Sequence, residues 1–382
     1  MNIDISGSCA SSLGAVKDAF ASNFSLNNDI GASVAVVKDG ELVVDLWGGH
    51  QDVARTTPWT RDTIINVFST TKTMSCLSLL VLASRSLVDV DAPVQNYWPE
   101  FGQNGKQDVL VRHLLSHTAG VPAWDQRIDL TDLYDWDKVT NLLAGQAPWW
   151  TPGTKSGYHA ISQGNLVGEV VRRVDGRSVG RFFAEEIAGP IGADFHIGLG
   201  AEHDSRVAPV IPAAPLQFGG GDGGRQPDHD SIPYRAMNPR LVAEQSWEIP
   251  WRRAEIPAAG GHGNARSVAL AQAAVSHGGS LRGVELLSGK TIDRIFDVQA
   301  AGRDLVIGIG VTFGVGYGLS SPRAPISPNA RVCYWGGWGG SLVVNDVDAG
   351  FTMAYVMNRM GEGTVGDDRA HTLLRAIYAS LG

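Results

Sequence analysis

Ser69 and Lys72 stand three residues apart in Phe68-Ser69-Thr70-Thr71-Lys72, at the head of the apolar run 74–83. On a helix, positions i and i+3 share a face, so hydroxyl and amine can meet. A serine hydroxyl is a poor nucleophile until a neighbour takes its proton. A lysine amine can take it only if burial or a nearby cation lowers its pKa. A lysine entering an apolar helix is a candidate for that treatment, and Lys72 is the only lysine here with a serine three residues before it. Alone the pair is a weak signal, because a chain of this length carries about one Ser-x-x-Lys by chance.

Other segments could supply partners. Tyr158 lies in Gly157-Tyr158-His159-Ala160, between the loop Trp149-Trp150-Thr151-Pro152-Gly153 and a helical pattern. A tyrosinate is a strong base but needs adjacent positive charge to form, which Lys72 could give; the plain alternative is a packed ring with its hydroxyl on a carbonyl. Trp335-Gly336-Gly337-Trp338-Gly339-Gly340-Ser341 separates two β-rich runs. Such glycines let a backbone approach a ligand and present N–H groups, the requirement of an oxyanion hole, or else they form a plain hairpin turn. The Gly-rich segment 258–265 lacks the Lys-Ser/Thr of a phosphate loop, and 219–224 reads as a flexible loop. His113 and His117 have the i, i+4 spacing of a metal pair. There is no His-Glu-x-x-His, however, and His117 falls at a helix end, so a structural role is expected. No Gly-x-Ser-x-Gly occurs, which argues against a nucleophile elbow.

The elements that must position these groups follow from periodicity. Residues 13–24 read as an amphipathic helix, and 32–38 and 41–47 as a hairpin about Asp39-Gly40. Residues 69–86 form the helix carrying the pair, with further helices over 109–116, 161–174 and 267–276. Strands are expected at 306–313, 331–334, 341–345 and 350–357, and a closing helix at 367–381. Strands at both ends with helices between predict an α+β fold, one antiparallel sheet flanked by helices. The predicted division is a sheet domain of 1–78 with 200–382 and a mostly helical domain of 79–199, the site between them.

With 382 residues, 43% of them hydrophobic, the chain can bury a large core. A net charge of −8 and no basic cluster exclude a nucleic-acid partner. Cys9, Cys76 and Cys333 give neither a disulfide framework nor a metal spacing. No apolar run reaches membrane-spanning length, and the first residues lack a signal-peptide pattern, so a cytoplasmic protein away from the membrane is expected.

Five ordered segments resemble one family: Phe-Ser-Thr-Thr-Lys, Val111-Arg112-His113-Leu114-Leu115-Ser116-His117-Thr118-Ala119-Gly120, the Pro-Gly…Tyr stretch leading into Gly164-Asn165-Leu166-Val167-Gly168-Glu169, the run 259–267, and Trp335-Gly336-Gly337-Trp338-Gly339-Gly340-Ser341. Together they are similar to the β-lactamase-related serine hydrolases, which include class C β-lactamases, D-Ala-D-Ala peptidases and family VIII carboxylesterases. The resemblance covers nearly the whole chain. It implies Ser69 as acylated nucleophile, Lys72 and Tyr158 as its proton partners, and the N–H groups of Ser69 and Trp338 as the oxyanion hole. Trp335, Gly336, Gly337, Trp338 and His159 would border the substrate, and no metal or cofactor is implied.

Two departures matter. Tyr158-His159-Ala160 replaces Tyr-x-Asn, and Trp335-Gly336-Gly337 stands where lactamases and peptidases have Lys-Thr-Gly. Loss of that lysine disfavours substrates bearing a carboxylate and favours neutral acyl groups, as in the esterase branch. The expected function is hydrolysis of short-chain carboxylic esters, with a small-molecule ester as partner; self-association is left open. The alternatives are an amide hydrolase of the same fold (a weak β-lactamase, a D-aminopeptidase or an ω-amino-acid oligomer hydrolase) and a non-catalytic binding protein.

Overall fold

A computed structural model describes residues 3–213, 228–322 and 324–381. The expected loop 219–224 lies outside the described residues. A nine-stranded antiparallel sheet forms the frame. Its strands are β1 (Ile5–Cys9), β2 (Gly31–Lys38), β3 (Glu41–Gly49), β4 (Ala300–Arg303), β5 (Gly310–Phe313), β6 (Gly318–Leu319), β7 (Val332–Gly336), β8 (Leu342–Asp346) and β9 (Phe351–Met357). Their spatial order is β1-β3-β2-β9-β8-β7-β6-β5-β4, so the two ends of the chain meet where β2 pairs with β9.

The hairpin forms as its sequence predicts: Asp39 (φ 51°) and Gly40 (φ 82°) are both left-handed, the conformation a two-residue type I′ turn needs. Along β2 the side chains alternate between two cores. Val34 and Val36 pack with Val16, Phe20, Leu373 and Ile377 from the helices Gly14–Leu26 and Asp368–Leu381. Ala35 and Val37 belong to the larger core on the opposite face, with Leu77, Leu80, Val268 and Val275. Both faces are covered, which is why β2 reads as a continuous apolar run.

Helix Thr71–Ser84 lies inside that larger core, with every residue from Thr71 to Leu82 buried. A helix buried all round places Lys72 in an apolar setting. Helix Ser162–Asp175 ends on Gly176 at φ 90°, a left-handed cap that glycine adopts without strain. Among the described residues no helix is long and apolar enough to cross a membrane.

The expected strand over 306–313 is corrected to β5 alone. Residues 304–309 turn instead, because Asp304 Oδ1 accepts the N–H groups of Val306 (2.9 Å) and Ile307 (3.0 Å) and takes them from any ladder. Strand β1 had no sequence signal: it is an edge strand with three exposed residues of five, so no alternation marks it.

Candidate active site

Ser69 sits in the 3-10 turn Phe68–Thr70 that feeds helix Thr71–Ser84. Phe68 before it has φ 45°, a left-handed value costly for an aromatic residue. The strain is held in place from both directions. Thr71 Oγ1 donates to Phe68 O and accepts the Gly261 N–H, while Thr70 Oγ1 and Ser341 Oγ lie 2.9 Å apart and Ser341 Oγ donates to Val67 O. The turn is thereby fastened to the start of β8.

Lys72 Nζ lies 3.2 Å from Ser69 Oγ, 2.6 Å from Ala160 O and 2.9 Å from Ala258 O. No carboxylate pairs with it among the described residues, and burial pushes its pKa down to about 7. A neutral amine has two N–H bonds and one lone pair. The two carbonyls can only accept, so they take both hydrogens and the lone pair is left facing the Ser69 hydroxyl.

Tyr158 is buried, with the Lys72 ammonium position 4.9 Å from its ring centre. Burial drives its phenol well above the ordinary tyrosine value, against hydrogen bonds with Ser69 and with Trp335. Trp335 Nε1 donates to Tyr158 Oη at 3.2 Å. An indole N–H, with no charge, therefore occupies the donor role that a third-motif lysine would have. At neutral pH Tyr158 is a phenol, so its O–H is free to donate to Ser69.

Gly337 lies against the nucleophile: a Cβ there would sit 2.1 Å from Val67 O and 3.2 Å from Ser69 N, so only glycine fits. Trp338 follows, its ring 5.2 Å from that of Phe68. The Trp338 N–H has no acceptor among the described residues, whereas Gly337, Gly339 and Gly340 donate to Ser341, Gly363 and Gly337 carbonyls. The Ser69 N–H likewise has no acceptor among the described residues, so both donors are unspent, as an oxyanion hole requires. Arg369 props this loop from below, donating to Gly339 O at 2.8 Å while paired with Asp29 and Asp367.

Ser69, Lys72, Tyr158, Trp335, Gly337 and Trp338 are therefore brought together, with Gly336 ending the strand that carries the loop. His159 is not at the substrate surface as expected. It is fully buried, its Nδ1–H donating to Gly157 O at 2.6 Å and its ring between those of His117 and Trp150, so it supports the turn from beneath. His113 and His117 make no metal pair: His117 lies past the end of helix Val111–Leu115, and His113 Nδ1 accepts the Leu110 N–H. Among the described residues no cluster of three or more metal-binding side chains occurs. The Gly-rich segment 258–265 serves the lysine, supplying Ala258 O and the strand Gly261–Gly263 that pairs with Ile65–Asn66. Sequence reasoning missed Ala160, Ala258 and Asp304. The first two act through backbone carbonyls, which leave no mark on residue type. Asp304, buried and bonded to the Tyr158 N–H, could have been found as an acidic residue at the head of an apolar run.

Known proteins share this fold. The family model described as Beta-lactamase matches residues 20–377, and the chain belongs to that family. The crystal structure of a family VIII carboxylesterase is 41% identical and superposes with a TM-score of 0.92, covering 99% of this chain and 100% of the other. A penicillin-binding protein homologue from Caulobacter crescentus is 37% identical with a TM-score of 0.89, covering 99% of this chain and 100% of its own. The Esterase/beta-lactamase LipL of Mycobacterium tuberculosis is 33% identical over 92% of this chain and 82% of its own length.

Proposed function

We propose that this protein is a serine carboxylesterase that hydrolyses short-chain carboxylic esters through an acyl-enzyme on Ser69. The observation that carries the reading is a chain of neutral groups. Trp335 N–H donates to Tyr158 Oη, Tyr158 O–H reaches Ser69 Oγ, and Ser69 O–H faces the Lys72 lone pair. Ser69 attacks the ester carbonyl as its proton passes to Lys72. The N–H groups of Ser69 and Trp338 hold the oxyanion, each donor worth roughly 3–4 kcal/mol. Lys72, now an ammonium, returns the proton to the leaving alkoxide directly or through the Tyr158 hydroxyl. Water then cleaves the acyl-enzyme by the same path in reverse.

Substrate preference follows from Trp335. Among the described residues Lys72 is the one cation bonded to Ser69 or set against the Tyr158 ring, and burial suppresses its charge. Neutral acyl groups suit the site better than penicillins or peptide C-termini. The 41% identity to a family VIII carboxylesterase supports the same choice. The cytoplasm is the compartment we propose, in keeping with three unpaired cysteines.

Ser69→Ala should abolish turnover of p-nitrophenyl butyrate with the thermal unfolding curve unchanged, and should remove the fluorophosphonate adduct from the intact mass. A Ser69→Ala variant that kept most of its activity would sink the assignment. Wild-type turnover of nitrocefin faster than of the ester would instead favour an amide hydrolase.

A further inference from the structure

We propose that His117 is a positioning residue, one that clamps the backbone on both sides of Tyr158 and so sets the place of the phenol and of the Lys72 acceptor. Three consecutive N–H groups are captured at this turn. Gly157 N–H donates to His117 O (3.0 Å), Tyr158 N–H to Asp304 Oδ1 (2.9 Å) and His159 N–H to His117 Nδ1 (3.1 Å). Two of the three end on one residue, and the carbonyl of Ala160, the residue after His159, is an acceptor of Lys72. The clamp therefore reaches both proton partners of Ser69, although among the described residues no hydrogen bond joins His117 to Ser69 itself.

The ring is fixed as firmly as the backbone. Its centre lies 4.7 Å from the Tyr158 ring on one side and 4.8 Å from Phe313 on the other. A backbone N–H can only donate, so Nδ1 must be unprotonated, and burial keeps the imidazole neutral. His117 also holds φ 60°, an uncommon left-handed value for a residue with a side chain. That conformation lets its carbonyl and its ring serve the same segment, 157–159, from just beyond helix Val111–Leu115. Strain of this kind persists where the surroundings over-determine it.

The inference rests on the reading of Tyr158 as part of the proton path, so its test must separate the two. Asparagine carries an acceptor oxygen at the position of Nδ1 and tolerates a left-handed backbone; glutamine carries it one bond further out; phenylalanine keeps the ring and loses the acceptor. With p-nitrophenyl butyrate and the full chain, His117→Gln and His117→Phe should lose about 30-fold in kcat with KM changed less than about threefold, as a small misplacement of a reacting group does. His117→Asn should recover kcat to within about fivefold of wild type. Should the phenylalanine variant fail to fold, the asparagine–glutamine pair decides alone. If Ser69→Ala is inactive while Gln and Phe keep more than a third of wild-type kcat, or Asn falls as far as Gln, the positioning role is overturned and the esterase reading stands. If Ser69→Ala stays active, the esterase reading itself fails.

Discussion

Two of the cations that the protein buries, Lys72 and Arg369, are treated in opposite ways. Lys72 has no carboxylate partner among the described residues; burial brings its pKa to about 7, and its neighbours are two carbonyls and a serine. Arg369 lies under the loop that carries Trp338, with Asp29 Oδ1 at 2.8 Å and Asp367 Oδ2 at 2.5 Å. Burial works against its charge too, but Tyr355, Asp367 and Asp29 hold its pKa above the ordinary arginine value. An unpaired buried cation gives up its proton and becomes a base; a paired one stays charged and becomes a fastening. The contrast explains why a lysine serves at the nucleophile and an arginine at the loop, since the guanidinium cannot be deprotonated.

Substitution should separate the two. Lys72→Met keeps the apolar stem and removes the lone pair. We expect a loss of about 10³–10⁴ in kcat/KM for p-nitrophenyl butyrate, the scale of a missing general base. Its unfolding midpoint should be equal to wild type or higher. The folded pKa of Lys72 is below its unfolded value, so wild-type stability rises with pH between about 7 and 10.5, and the variant should lose that slope. Unchanged pH dependence of denaturant unfolding would break this half of the comparison.

Arg369→Met should do the reverse. Removing one partner leaves Asp29 buried without its cation and should cost about 3–5 kcal/mol in urea unfolding. If that variant were as stable as wild type, the pair would not be a fastening. The smallest effect on activity is expected at Trp335, where Phe removes the indole N–H to Tyr158 Oη together with part of a buried ring. About a tenfold loss in kcat, in a variant still fully folded at the assay temperature, would place the indole N–H in the proton path; no change would reduce it to packing.

These contrasts differ in how far the sequence reveals them. The Ser69–Lys72 spacing is legible because helix periodicity fixes which side chains meet, and the apolar run after it already implies burial. The hairpin at Asp39-Gly40 is legible because its turn chemistry is local. The Asp29–Arg369 pair is not, since its members stand 340 residues apart and meet only after β2 and β9 pair. Lys72's carbonyl partners, Ala160 and Ala258, could not be read from residue type. The run at 306–313 misled for a related reason: its valines and isoleucines suit a strand, but Asp304 captures the N–H groups that a strand would need. The family resemblance sets His159 at the substrate, and three-dimensional burial overrides that expectation.

Everything proposed for the nucleophile depends on Lys72 being neutral and basic near neutral pH, because no carboxylate among the described residues compensates its charge. Single-turnover acylation of Ser69 by p-nitrophenyl acetate, followed by the nitrophenol burst from pH 5 to 9, tests it directly. The expected rate climbs tenfold per pH unit at the acid end and levels off with a midpoint near 7. A rate that is flat through this range, or that keeps climbing towards pH 9, would contradict it.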